Sequence, residues 1–397
     1  METERSRMPY CAECYLLVAG TGRYCLNWKP VQFPAHKSTR RSSPRYKIVM
    51  TPALDLTRRE FLREAALLTV VASANALPTS QAQDMFVQTV LGPIPASKLG
   101  VTLVHEHVMC DFIGAAQTNR HRWEVEAVVK RMLPVLIQVK ERGVTGFIDC
   151  TPAYIGRDPR VLKQLAQQTG LHIVTNTGYY GGADDKFVPK HAYSATPDQL
   201  ADLWVEDVAH GIEDTGVKPG FIKIGIDEIK GSADRLSPID EKLVRASARA
   251  SRRTNLAVTC HTGGGPAGLT ATKIFIEERA DPARFIVAHS DGHGLPINRA
   301  VAALGAWVSF DGIGRQPLES HLKLVHVMTE KHASRLLLSQ DSGWYWVGQQ
   351  NGGEVRNFNY MIDVFLPALH NSGISEATIR KLMVENPANA FAIRFHR

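Results

Sequence analysis

Six residues of this 397-residue chain are of types that bind metal ions and recur in or at the ends of separate apolar runs. They are His105 and His107 in VTLVHEH, Lys223 in GFIKIGI, His261 in LAVTCHT, His289 in RFIVAHS and Asp341 in RLLLSQD. His105 and His107 are two apart, so on a strand both side chains point to one side. Alone, His261 or His289 reads as a hydrogen-bonded core histidine, and Asp341 as a cap for the segment after it. Lys223 is the odd member, because a lysine inside an apolar run is costly to bury unless it is neutralised, paired or able to snorkel out. Together, four imidazoles and a carboxylate offer borderline nitrogen and hard oxygen ligands, which suit Zn2+ or its neighbours Co2+ and Mn2+. One catalytic zinc uses about three protein ligands and keeps a position for water, so six candidates fit two divalent metals about 3.5–4 Å apart. Such a pair needs a bridging anion, and a bare lysine cannot supply one.

These residues lie far apart in sequence, so the elements that carry them must bring them together. From residue 100 onward, short apolar, β-branched runs alternate with longer amphipathic ones. The strand-like runs cover 101–107, 144–150, 171–178, 220–226, 256–262, 284–290, 306–312 and 335–341. Between them lie helical patterns such as 197–212, where Leu200, Trp204, Val208 and Ile212 recur every four residues behind a Pro197-Asp198 start. Strand alternating with helix eight times predicts parallel strands joined by helical crossovers. Eight repeats over about 300 residues favour a single α/β (β/α)8 TIM barrel over an open doubly wound sheet. The carboxyl ends of barrel strands converge on one face, where the six residues would meet.

Composition excludes several other classes. Hydrophobic residues make up 44% and charged residues 21%, with a mean hydropathy of -0.15, as in an ordinary globular protein. No apolar run reaches the roughly 18 residues a membrane span needs. The net charge of +7 would fit a nucleic-acid binder, but residues 1–50 carry six of those charges and residues 83–397 only one. Residues 57–76, TRREFLREAALLTVVASANA, match a twin-arginine export signal: Arg58 and Arg59 precede a modestly apolar stretch and the A-x-A-like Ala74-Asn75-Ala76, with cleavage after Ala76 or after Ala82. Met50 lies seven residues before Thr57, a sensible distance for an initiator. The organisation expected is therefore an upstream extension at 1–49, a signal peptide at 50–82 and a metal-binding barrel at 83–397 that is exported to the periplasm or beyond. Cys11 and Cys14 in CAEC lack a second pair or a His cluster to complete a zinc site. Cys110, Cys150 and Cys260 in the body allow at most one disulfide and read as packed thiols.

The motifs VTLVHEH, GRD at 156–158, GIEDTG at 211–216, GFIKI, TCHTGGG, AHSD and VENPANAF resemble the phosphotriesterase family of the amidohydrolase superfamily, from about Val87 to Phe391. That resemblance implies a binuclear zinc-type (β/α)8 hydrolase, often a homodimer, acting on small lactones, carboxylic esters or organophosphate triesters. It implies that His105, His107 and Asp341 hold the more buried metal, and His261 and His289 the more exposed one. Lys223 would be carboxylated by CO2, its carbamate bridging both metals. A bridging hydroxide would attack the substrate, with Asp341 taking its proton. Tyr180, in NTGYYGG, matches a pocket position that is Tyr in the family's lactonases and Trp in its efficient phosphotriesterases, which favours lactones or esters. Neither specialised pattern is complete. The lactonases place an Arg, and the phosphotriesterases a relay His, after the seventh-strand aspartate, whereas FDGIGR has Gly312 there and Arg315 three residues on. Trp344, Tyr345 and Trp346 follow Asp341 closely and, with Tyr180 and Arg315, are expected to line a pocket for an acyl chain or aryl group. TGGGPAG at 262–268 lacks the Lys-Ser/Thr of a phosphate loop and is expected to be a flexible loop beside His261. The alternative from a different class is a metal-binding receptor or scaffold barrel without turnover.

Overall fold

The computed structural model describes residues 85–394 apart from positions 230 and 233, so the expected extension and signal at 1–82 lie outside the described residues. A hairpin of β1 (Met85–Thr89) and β2 (Gly92–Pro95) opens it, and β1 also pairs with the last strand, β13 (Ile393–Arg394). The barrel begins with β3 (Thr102–Cys110), β4 (Gly146–Asp149), β5 (His172–Val174) and β6 (Asn176–Thr177). It continues with β7 (Phe221–Ile226), β8 (Ala257–Thr262) and β9 (Phe285–Val287), then β10 (Trp307–Phe310), β11 (Leu336–Leu338) and β12 (Gly343–Trp346). Parallel pairing runs β12-β3-β4-β5 and β6-β7-β8-β9-β10-β11. β5 and β6 are one strand interrupted at Thr175, and the segment between β11 and β12 bonds to β3 through Asp341 N to His105 O at 3.0 Å. The ring therefore closes as a (β/α)8 barrel of eight strand positions.

Helices cover the ring as crossovers: α1 (Val125–Glu141), α2 (Pro159–Thr169), α3 (Pro197–His210) and α4 (Pro238–Thr254). α5 (Gly265–Glu277), α6 (Leu295–Ala303) and α7 (Leu318–His332) follow. Their starts are written locally. Thr196 and Gln199 form a reciprocal capping box ahead of Pro197, Asp158 caps α2, and Ser237 caps α4. The expected flexible loop at 262–268 is instead the end of β8 and the first turn of α5, with Gly268 N bonded to Gly264 O at 3.1 Å. Pro266 explains the difference, because its fixed φ and missing N–H suit a helix's opening turn.

Two apolar layers hold the barrel. Leu103, Phe147, Ile173, Ile222 and Val258 pack outward against the helices, whereas Val104, Ile148, Val174, Phe221, Ala257, Ile286, Trp307 and Leu337 cluster separately with Phe391 of the C-terminal helix. Strand alternation then aims the functional residues. Lys223 shares the side of Phe221, and His261 shares that of Ala257, so both point toward the barrel axis. In β3 the register shifts between Leu103 and Glu106, and this bulge lets Val104 and His105 both face inward. Among the described residues no helix is long and apolar enough to cross a membrane.

Candidate active site

The six residues singled out in the sequence meet at the carboxyl ends of the strands. The rings of His105 and His107 lie 5.5 Å apart, those of His105 and His289 4.9 Å, and those of His261 and His289 4.5 Å, centre to centre. Asp341 Oδ1 is 3.0 Å from His107 Nε2 and 3.9 Å from His105 Nε2. Lys223 Nζ reaches His105 Nε2 at 3.3 Å, is 1% exposed, and has no carboxylate within ion-pair distance among the described residues. Two of the six are not on strands as the apolar runs implied. β9 ends at Val287 and β11 at Leu338, and His289 and Asp341 sit just beyond them in left-handed turns, at φ 60 and 49. Such backbone is costly for non-glycine residues and is held here by main-chain bonds, His289 N to Asp311 Oδ2 at 2.9 Å and Asp341 N to His105 O.

The hydrogen bonds around these rings decide which nitrogens face inward. His105 Nδ1 lies 2.9 Å from Asp311 Oδ2, so it donates there and leaves the Nε2 lone pair toward Lys223. The Thr151 hydroxyl donates to Met109 O at 3.0 Å, so it accepts from His107 Nδ1 at 2.9 Å. The His107 Nε2 lone pair therefore faces Asp341 Oδ1, and a proton or a metal ion must lie between two such acceptors. Burial, reinforced by neighbouring cations, keeps His105 and His261 well below the usual imidazole range, and burial with the nearby His105 ring brings His289 down to about 4. All three are neutral at pH 7, the form that binds metal. Burial works against ionising Asp341, but a proton held between it and His107, together with the Arg315 guanidinium, outweighs that and holds the carboxyl well below its ordinary value. The donor set thus fits divalent metal ions, and His105, His107 and Asp341 lie close enough to share one. Asp311 also lies within reach of His105 and His289, but it accepts the ring N–H of the first and the main-chain N–H of the second, so it orients ligands.

Around this centre the mouth is aromatic. The Tyr180 ring lies 4.9 Å from His261, and Trp344 5.8 Å from His107. Phe112 packs edge-on to Trp346 at 4.9 Å and to Phe187 at 6.2 Å. Tyr180 fits because position 225 is glycine: a Cβ there would stand 2.6 Å from its ring. Arg315 stacks 4.8 Å over Trp344 and donates from Nη2 to the Asp341 main-chain oxygen and, at 3.1 Å, to Asp341 Oδ2. Tyr345 departs from the expectation. Residues 343–346 form a strand, so Trp344 and Trp346 share the mouth side while Tyr345 turns away to pack against the main core and Gly352. At Gly312 a Cβ would meet Asp291 Oδ2 at 2.2 Å, so this carboxylate fills the space a side chain would take.

The model of the phosphotriesterase family matches residues 85–391, which span every strand but β13 and all six residues of the candidate site. The chain belongs to the phosphotriesterase family. It is a hydrolase of that family with His and Asp groups suited to metal. A phosphotriesterase homology protein of Mycobacterium tuberculosis is 31% identical over 325 residues, covering 77% of this chain and 97% of the relative. An aryldialkylphosphatase of Saccharolobus solfataricus is 24% identical, covering 75% and 97%. Among solved structures, a mutant organophosphorus hydrolase from Deinococcus radiodurans superposes with a TM-score of 0.69 at 29% identity, covering 77% and 97%.

Several residues of this phosphotriesterase-family site had no functional reading in the sequence. Glu106, the middle residue of HEH, is fully buried and faces the seam between β3 and the 339–342 segment. Its carboxyl accepts from Ser339 Oγ at 2.8 Å, Gln340 N at 3.1 Å and Ser342 N at 2.7 Å, while burial pushes it up to about 8. A charged residue inside a strand was the available signal for Glu106, and the acid at a strand end for Asp311. Thr151, Phe112 and Phe187 carried none, because nothing local marks which loop side chain turns inward.

Proposed function

We propose that this hydrolase uses two divalent metals, Zn2+ foremost, to cleave small lactones or carboxylic esters, with organophosphate triesters as a secondary substrate class. The observation that supports this most is the inward-facing set of neutral imidazoles, buried Lys223 and ionised Asp341. Bound there, the metals would supply a hydroxide at neutral pH and polarise the carbonyl or phosphoryl group it attacks. His105, His107 and Asp341 would hold one ion, and His261 and His289 the other. Lys223, converted by CO2 to a carbamate, would become the anionic ligand shared by both, which accounts for a buried lysine without a carboxylate. Asp341 accepts the proton released in the attack, and Tyr180, Trp344 and Trp346 give the acyl or aryl group an apolar wall that excludes water. Tyr180 beside His261 favours lactones and esters as the native class.

The test compares kcat/KM of the metal-replete protein on a long-chain lactone and an aryl phosphotriester. Faster lactone turnover is expected, faster triester turnover would reverse the order, and no turnover on either with two metals bound would remove the hydrolase mechanism. We also propose that the chain is exported through its twin-arginine segment and works as a homodimer. N-terminal sequencing of the mature protein and sedimentation equilibrium test these two points. An N-terminus upstream of Thr57, or a monomer at micromolar concentration, would overturn them.

A further inference from the structure

The charges around the mouth are unequal on its two sides. The loops after β6 and β7 carry Asp184, Asp185, Asp227 and Glu228, with Asp184 N bonded to Asp227 Oδ2 at 2.8 Å. The opposite side carries two arginines. Arg315 has a side chain 24% exposed, pairs through Nη2 with Asp341, and makes no hydrogen bond from Nε or Nη1 to a described residue. Behind it, Arg356 donates only to main-chain oxygens, to Gln340 O at 3.4 Å and Ile313 O at 3.3 Å, and has no ion-pair partner among the described residues. Asp341 is thus the carboxylate that pairs with Arg315, while Arg356 has no carboxylate within ion-pair distance among the described residues. The Arg315 guanidinium carbon also lies 4.8 Å over the Trp344 ring, which limits the freedom of its fork and leaves Nε and Nη1 available to a substrate.

We propose that the native substrate carries its own oxyanion, a carboxylate or its equivalent, a few bonds from the scissile ester or lactone carbonyl, and that Arg315 reads it. This inference rests on the hydrolase reading above. The distance follows from the geometry: Arg315 is one hydrogen bond from Asp341, which lies at the reacting centre, so a group it contacts lies close to the bond being cleaved. The loop after β6 carries Lys186 beside its acids, with Nζ 5.5 Å over the Phe187 ring, so the orientation of the substrate rests on Arg315. A guanidinium matches a carboxylate with two parallel hydrogen bonds, whereas a neutral amide of the same shape offers one acceptor.

The experiment uses the full-length, Zn2+-loaded protein with two matched substrate pairs. One is a γ-lactone bearing a ring carboxylate against its carboxamide, and the other an acetate ester of lactate against that of lactamide. We expect the anionic member to lead in kcat/KM by about tenfold or more, equivalent to 1.4 kcal/mol, chiefly through KM. Arg315→Gln should abolish the preference and Arg315→Lys retain part of it. If Arg315 only positions Asp341, Arg315→Gln lowers both members equally and the preference persists, which overturns the inference. Equal rates on both members in the wild type overturn it too while leaving the hydrolase reading intact. No hydrolysis of any of the four by protein with two metals bound removes that reading and the inference with it.

Discussion

Glu106 lies between two candidate metal ligands yet faces away from them, and replacing it tests whether the seam between β3 and the 339–342 segment sets the site. Three donors converge on its carboxyl, from Ser339 Oγ and from the main-chain nitrogens of Gln340 and Ser342, all buried. Glu106→Ala leaves the two main-chain N–H groups without an acceptor. Each such orphan costs about 1–3 kcal/mol, so the variant should lose about 2–6 kcal/mol, toward the lower end if water enters the space. In domains of about 150–250 residues each kcal/mol moves Tm by about 2–4 °C, so metal-free Glu106→Ala should melt at least about 4 °C below wild type. Because Asp341 rides on the loosened segment, Zn2+ affinity should fall by about 10–100-fold. Glu106→Gln is the intermediate case. Its one oxygen can still accept from Ser339 Oγ and Gln340 N, but its NH2 would face the Ser342 N–H, which is then left without an acceptor. That variant should lose about 1–3 kcal/mol, less than Glu106→Ala. Circular-dichroism melts of the metal-free proteins and competition for Zn2+ against a chelating indicator supply both readouts. An alanine variant with unchanged Tm and unchanged affinity would refute the reasoning.

Three further outcomes follow from the same geometry. Lys223→Ala should lose bound metal, measured by mass spectrometry of dialysed protein, and bicarbonate should not restore it; full metal content would show that Lys223 is not a shared ligand. Asp341→Asn should cut kcat by about 10²–10⁴-fold, and near-wild-type turnover at full metal occupancy would remove its role in proton transfer. Asp240, buried at the start of α4, has its carboxyl pushed by burial from an ordinary 3.8 up to about 7. A raised acid stabilises the fold in its protonated form, so that contribution is lost as pH rises through about 7. Asp240→Asn should therefore be more stable than wild type above about pH 8, with the gap closing toward pH 5, and equal pH slopes in thermal melts would contradict this.

Much of this protein was legible without coordinates because the relevant signals are local. Short apolar, β-branched runs alternating with period-four ones specify strands and helices, and eight such alternations leave few closed topologies. Metal-binding residue types in or beside those runs then mark the carboxyl face, since a barrel places all strand ends together. Aim was a different matter. Val104 and His105 both point inward only because β3 bulges, and His289 and Asp341 reach the centre from left-handed turns beyond their strands. Tyr345 turns away from its tryptophan neighbours because the segment after Asp341 pairs with β3 as a strand. What the sequence by itself determined was the set of candidate metal-binding residues and the barrel that gathers them, through periodicity and residue chemistry. What only the tertiary structure decided was which nitrogen faces the centre, that Asp291 fills the space beside Gly312, and that Arg315 stacks on Trp344 over Asp341. Those features depend on partners up to 206 residues apart, as for His105 and Asp311, and no local pattern carries information across that distance.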